Sequence, residues 1–256
     1  MIPPLSPFVR PRPVAFPAVR LIAFHHAGGS AVAYHPMASW LPEDWELLIL
    51  DLPGRGKRHA EPPLREMSAA IERAVEDVRP WLDAPIALFG HSLGAILAAE
   101  VGRACDRLGA SPVWVGISGR IAPALQGDAP RLSAMSDDAL LGELLALGGT
   151  PERIRELPAL REHLMRVVRA DISLLESYAP APRRAPLSCP VTTFAGTGDQ
   201  WATPTMMLPW TRETRAGCRQ RLYSGGHFYF LGPLFAELTR DAVADIAPLL
   251  AAAQDD

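Results

Sequence analysis

Hydrophobic positions along this chain fall into two alternating patterns. Short runs that are apolar nearly throughout occur at Val19–Phe24, Leu47–Leu50, Ile86–Phe89, Val113–Ile117 and Pro190–Ala195. Their lengths and their lack of polar alternation predict strands buried on both faces. Arg219–Tyr223 predicts one further, final strand. Between these runs, apolar residues recur every three or four positions. From Met67 onward, Met67, Ile71, Ala74, Val75, Val78 and Leu82 form one stripe of an amphipathic helix. Ala31–Trp40 and Ile96–Leu108 also read as helices, and Phe228–Leu250 supplies the closing ones. Apolar strands alternating with helices predict an α/β fold: a parallel sheet covered on both sides.

The alternation lapses after Ile121. Asp138–Leu147 and Leu160–Tyr178 both carry helical spacing, the second with Leu160, Leu164, Val168, Ile172 and Leu175 on one face. No strand pattern lies between them. About 122–188 therefore reads as a helical insertion capping an α/β domain. The first residues are rich in proline (Pro3, Pro4, Pro7, Pro11, Pro13, Pro17) and read as an extended or mobile arm. The expected organisation is an arm over 1–18 and one domain over 19–256 that contains the insertion.

Composition narrows the function classes. With 48% hydrophobic residues a substantial core is expected, and the net charge is 25 − 28 = −3. No Lys/Arg run resembles a nucleic-acid footprint. No uninterrupted apolar run reaches membrane-spanning length, and the N-terminus lacks the apolar centre of a signal peptide. Cys105, Cys189 and Cys218 are odd in number and far apart, which favours reduced packing thiols in a cytoplasmic protein. No cofactor is expected. His25 and His26 could serve as metal ligands, but no acidic or cysteine pattern nearby completes a site.

The chemistry concentrates at Phe89-Gly90-His91-Ser92-Leu93-Gly94-Ala95. A G-x-S-x-G between a strand and a helix is the pattern of a nucleophile elbow. The serine must occupy a strained turn that lifts its hydroxyl above the sheet. Gly90 and Gly94 remove side chains that would collide there. The helix that follows aims its free N–H groups at the site.

A serine hydroxyl needs a base within reach and an acid to orient that base. In this fold class the order along the chain is Ser, acid, His. Among the seven histidines only His227, in Ser224-Gly225-Gly226-His227-Phe228 after the last strand, has both the order and the loop context. Asp199, in Gly196-Thr197-Gly198-Asp199-Gln200 after another strand, is the matching acid. Asp171 is the alternative, but it lies in the middle of a predicted helix. The Leu93 N–H and the Ala27 N–H, from His25-His26-Ala27-Gly28-Gly29, are the expected oxyanion donors.

Six segments together resemble the stand-alone type II thioesterases of polyketide and nonribosomal peptide assembly lines. They are Phe24–Ser30, Pro53-Gly54-Arg55, Phe89–Ala95, Leu147–Pro151, Leu174–Tyr178 and Gly225–Phe228, with Val168–Asp171 in support. The likeness spans about Arg20 to Ile246. It implies an α/β-hydrolase fold with a helical lid and a triad of Ser92, Asp199 and His227. It also implies hydrolysis of acyl thioesters from the phosphopantetheine arm of an acyl or peptidyl carrier protein. From the composition, no membrane or nucleic-acid partner is expected, and the expected state is a monomer. Cys218 and Gly56-Lys57 depart from the usual pattern without touching the triad. The competing readings are a carboxylesterase or lipase, an acyl-CoA hydrolase with the same triad, and a non-catalytic binding protein.

Overall fold

A computed structural model describes residues 6–125, 131–181 and 183–252. Pro3 and Pro4 of the N-terminal arm, and 126–130 and Pro182 of the insertion, lie outside the described residues. Seven strands form one sheet: β1 (Phe8–Val9), β2 (Val19–Phe24), β3 (Trp45–Leu50), β4 (Ile86–His91), β5 (Trp114–Ser118), β6 (Val191–Gly196) and β7 (Cys218–Tyr223). Their order is β1-β3-β2-β4-β5-β6-β7. Every pairing is parallel except β1 with β3. From β2 to β6 every residue is buried, which accounts for the absence of polar alternation. The two charges in these strands, Arg20 and Glu46, are register partners and form an ion pair at 3.1 Å. Each is tolerated inside because the other is there.

Helices α1 (Met67–Val78) and α2 (Leu93–Arg107) cover one face of the sheet. Between β5 and β6 the described residues are helical, chiefly α3 (Asp137–Ala146) and α4 (Pro158–Ser177). These bury Leu140, Leu141, Ile154, Met165, Val168 and Ile172 in a cluster of their own. A short α5 (Pro204–Met207) follows β6. The other face packs α6 (Leu234–Ala252) and a 3₁₀ helix, Ala31–Ser39, against the strands.

Several local expectations shift. Ala31–Ser39 is 3₁₀ because Pro36 removes a donor from the helix interior. The helix after the elbow starts at Leu93, not Ile96. The closing helix starts at Leu234, after Gly232 and Pro233, so Phe228–Leu231 is a turn. Within the proline-rich arm, Phe8 is buried against Trp81 with ring centroids 5.7 Å apart, and Phe8–Val9 pairs with β3. Two apolar residues among prolines are too short a run to read as a strand.

Candidate active site

Four loops at the C-terminal edge of the parallel strands converge on one cavity. The first is the elbow after β4. Ser92 has φ 55° and ψ −111°, and is the only non-glycine residue with positive φ among those described. Such a conformation costs on the order of 1–3 kcal/mol and persists because its surroundings impose it. A Cβ on Gly90 would lie 1.9 Å from the Gly94 carbonyl oxygen, and one on Gly94 would lie 2.1 Å from that of Phe24. Strand, turn and helix are therefore in backbone contact. The Ser92 N–H is anchored on the Ser118 carbonyl at 2.8 Å.

The loops after β6 and β7 bring in Asp199 and His227. Gly198 N–H donates to the Gly225 carbonyl at 2.7 Å and Thr197 N–H to that of Tyr223 at 2.8 Å, so the two loops are stitched together. Across this seam His227 Nδ1 donates to Asp199 Oδ2 at 2.8 Å. The other carboxylate oxygen accepts the N–H groups of Trp201 at 2.8 Å and Ala202 at 3.1 Å. Burial alone would raise the Asp199 pKa. The His227 hydrogen bond and its charge, followed by the two amides, outweigh that and hold the carboxyl below its ordinary value. An ionised Asp199 can only accept, so His227 Nδ1 is the donor of this bond. Phe228 and Trp201 frame the imidazole at ring distances of 5.2 and 5.9 Å. Ser92 and His227 line the same cavity, each less than one-tenth exposed. The Ser92 hydroxyl makes no hydrogen bond to another described side chain, His227 included. In resting hydrolases this contact is often long and closes with substrate.

The fourth loop, after β2, is wound around the His26 carbonyl. That oxygen accepts from His25 Nδ1 at 2.9 Å and from the Gly29 N–H at 2.9 Å. Leu52 N–H donates to His25 Nε2 at 3.3 Å, which fixes the His25 tautomer. Both His25 nitrogens are thus committed to the fold. Burial first, then the Arg55 charge, drives the His25 pKa well below its usual value. Burial likewise pushes His26, on the cavity wall, down to about 3, with the His227 and Arg55 charges adding to the effect. The Ala27 N–H in this loop and the Leu93 N–H at the start of α2 have no internal acceptor among the described residues.

Asp171 is placed away from His227. It bonds Arg55 and the Gly28 N–H instead. The sequence reading missed this partnership, because 116 residues separate the two charges. It also missed Trp201, whose backbone supports Asp199 and whose ring flanks His227. Gln200-Trp201 beside the predicted acid was the available signal.

The cavity measures about 350 Å³. The insertion roofs it with Leu140, Leu144, Ile154, Leu164, Val168 and Ile172. A second space of about 370 Å³ borders His227 and Trp201, with Glu143, Asp199 and Gln200 on its wall. Among the described residues, no group of three or more His, Cys, Asp or Glu is arranged to hold a metal ion. No described helix is long and apolar enough to cross a membrane. The three cysteines are unpaired, and burial pushes the thiols of Cys105 and Cys218 up to about 11 and that of Cys189 to about 12. None is a ready thiolate.

Comparison with known proteins agrees with this architecture. The family model "Thioesterase domain" matches residues 19–243. The thioesterase PikA5 of Streptomyces venezuelae is 39% identical over 215 residues, which cover 83% of this chain and 75% of that one. Among solved structures, the RedJ thioesterase of the prodiginine pathway in Streptomyces coelicolor superposes with TM-score 0.83 at 34% identity, covering 89% of this chain and 90% of its own. The type II thioesterase BorB of the borrelidin cluster gives 0.84 at 33% identity, covering 95% and 97%. An elbow serine, an acid–imidazole pair and a roofed apolar cavity are thus set in a fold shared with thioester hydrolases, and the chain belongs to the thioesterase domain family.

Proposed function

We propose that this thioesterase releases acyl groups from the phosphopantetheine arm of acyl or peptidyl carrier proteins, as an editing enzyme of a polyketide or nonribosomal peptide pathway. Ser92, His227 and Asp199 form its triad, and the Ala27 and Leu93 N–H groups form its oxyanion hole. The observation that carries this is the 2.8 Å bond between Asp199 and His227, whose imidazole lines the same apolar cavity as Ser92.

His227 Nε2 takes the Ser92 proton as Oγ attacks the thioester carbonyl carbon. Asp199 keeps the imidazole oriented and stabilises the imidazolium. Negative charge gathers on the former carbonyl oxygen, where each amide donor contributes on the order of 3 kcal/mol. The tetrahedral intermediate expels the thiolate, which leaves as thiol with the proton from His227. Water, deprotonated by the same nitrogen, then attacks the acyl–Ser92 ester and frees the acid.

The acyl chain occupies the apolar cavity beneath the insertion, which acts as a lid and keeps water from the acyl enzyme. The more polar space bordering His227 gives the carrier's arm a route to the serine. No cofactor is needed beyond the arm that the substrate brings. Three free cysteines suit an enzyme working in the reducing cytoplasm, and it is expected to act as a monomer.

The test is a panel of one acyl group on carrier protein, on coenzyme A and as a nitrophenyl ester. The carrier thioester is expected to give the highest kcat/KM, and Ser92→Ala is expected to abolish turnover while leaving the fold intact. Undiminished hydrolysis by Ser92→Ala refutes the nucleophile. Preference for the oxygen ester assigns a carboxylesterase instead.

A further inference from the structure

A buried ion pair that the proposed mechanism does not use ties the β2 loop to the helical insertion. Asp171 belongs to α4 and is fully buried. Its Oδ2 accepts the Gly28 N–H at 2.7 Å and Arg55 Nη1 at 2.5 Å, and its Oδ1 accepts Arg55 Nη2 at 2.7 Å. Two parallel bonds fix orientation as well as distance. Arg55 is 3% exposed, and its Nη1 also reaches the Gly29 carbonyl at 3.4 Å. Gly28 has φ +74°, and a Cβ there would lie 2.5 Å from Val168 Cγ2 of α4. The helix rests directly on the loop.

Net stability is a weak reason for burying such a pair, because well-packed apolar residues often do as well or better. Orientation is a stronger one. The Ala27 N–H belongs to the His26–Ala27 peptide, whose carbonyl is held by His25 Nδ1 and the Gly29 N–H. The Gly28 N–H belongs to the next peptide, Ala27–Gly28, and Asp171 holds it. Peptide units are planar, so holding both planes that meet at the Ala27 Cα sets the direction of the Ala27 N–H.

The geometry points to Asp171 and Arg55 as positioning residues for the oxyanion donor: through the Gly28 N–H they hold the Ala27 peptide in line while α4 is seated on the loop. The inference rests on the reading of Ala27 as a donor to Ser92 chemistry. It makes the oxyanion hole complete only when the insertion is in place.

Two double variants test it. Arg55→Met with Asp171→Leu removes both charges together, so neither is left stranded. Its kcat on an acyl thioester is expected to fall about 10- to 100-fold, less than the roughly 100- to 1000-fold that outright loss of an oxyanion donor costs, because the donor is displaced and not removed. KM should stay within about twofold. Affinity for an alkyl boronic acid, which forms a tetrahedral adduct on the serine, should fall by the same factor as kcat. Arg55→Met with Asp171→Asn keeps an acceptor for the Gly28 N–H and should recover about tenfold of the lost rate. Wild-type kcat and boronate affinity in the first variant overturn the inference, as does a rate loss in the Asp171→Asn double variant equal to that in the Asp171→Leu one, or a drop in Tm alone. A wild-type enzyme inert on thioesters refutes the thioester substrate instead, and an active Ser92→Ala refutes the nucleophile. Normal turnover in the wild type beside an unaltered double variant refutes only the positioning role.

Discussion

The two halves of the helical insertion are held by different chemistry. The inner half, α4, is tied to the loops that border the cavity and to the body of the domain at several buried or half-buried points. Asp171 engages Arg55 and Gly28, Arg166 donates to the Gly54 carbonyl at 3.2 Å, and Ser177 Oγ accepts the Met67 N–H at 2.9 Å. Just beyond the helix, Tyr178 donates to Glu100 at 2.6 Å. The outer half, from Leu132 through α3 to Glu156, is attached to α4 by Arg161–Asp138, Arg169–Asp137 and Ser133–Glu176. The side chains of Asp138 and Asp137 are 83% and 57% exposed, so water screens these pairs. What holds the outer half is the small apolar cluster around Leu140 and Ile154. One side of the cavity roof is thus built for fixed geometry, and the other for cheap separation. Hydrogen exchange is expected to be faster across 132–156 than across 165–177.

The contrast breaks most visibly at Asp171. Asp171→Ala leaves the Arg55 guanidinium buried without its counter-ion, which costs about 3–5 kcal/mol. Urea unfolding of the variant should show that loss. A cost below about 1 kcal/mol would place the inner helix in the same class as the outer one.

Leu140 is the corresponding test of the outer half. It is fully buried in the insertion's own cluster. Leu140→Ala removes apolar contacts and leaves a void, an effect of about 2–4 kcal/mol. Because the cluster is separate from the sheet, the expected signature is local: faster amide exchange in α3, with β4 and β5 unchanged. Equal acceleration in the strands would mean that the outer half does not open on its own.

The floor beneath α4 should also be sensitive to acid. His25 has a folded pKa well below its ordinary value, through burial and then the Arg55 charge. When pH falls below about 6.5, the unfolded chain binds a proton that the folded chain refuses. Stability is therefore full above that pH and declines as pH falls toward the folded pKa. The slope is up to about 1.4 kcal/mol per pH unit for one such group. His25→Asn should flatten the fall in unfolding free energy between pH 6 and pH 5 by about that amount. An unchanged slope would show that His25 takes up a proton in the folded state.

Much of this was readable in the sequence, and what was not follows a physical pattern. The buried strands and the elbow are local signals, carried by consecutive apolar residues and by Gly90, Ser92 and Gly94. His227 and Asp199 followed from chain order, since a loop after a strand is also a local feature. Arg55 and Asp171 were each visible but could not be joined, because a contact across 116 positions leaves no periodic trace. The helix position of Asp171 set it apart from Asp199 in the sequence, yet gave no hint of its partner. Ala31–Ser39 has apolar residues at helical spacing, and only Pro36 argued against a regular α-helix. The β1 pair failed for length alone.

The smallest effect is the most informative about the outer half. Asp137 caps the exposed pair with Arg169, whose guanidinium also donates to the Ser133 and Met135 carbonyls at 3.1 and 2.8 Å. Those two carbonyl bonds survive the loss of the carboxylate, so Arg169 keeps partners. Asp137 also sits in the first turn of α3, where a negative charge favours the helix by a few tenths of a kcal/mol. Asp137→Ala should therefore cost about 0.2–1 kcal/mol in all, and less in high salt. Because the outer half separates more cheaply than α4, even this small loss should speed amide exchange in α3 while that of α4 near Asp171 stays at its wild-type rate. Acceleration of both together would mean that the two helices move as one body, and that the buried ties of α4 do not separate them.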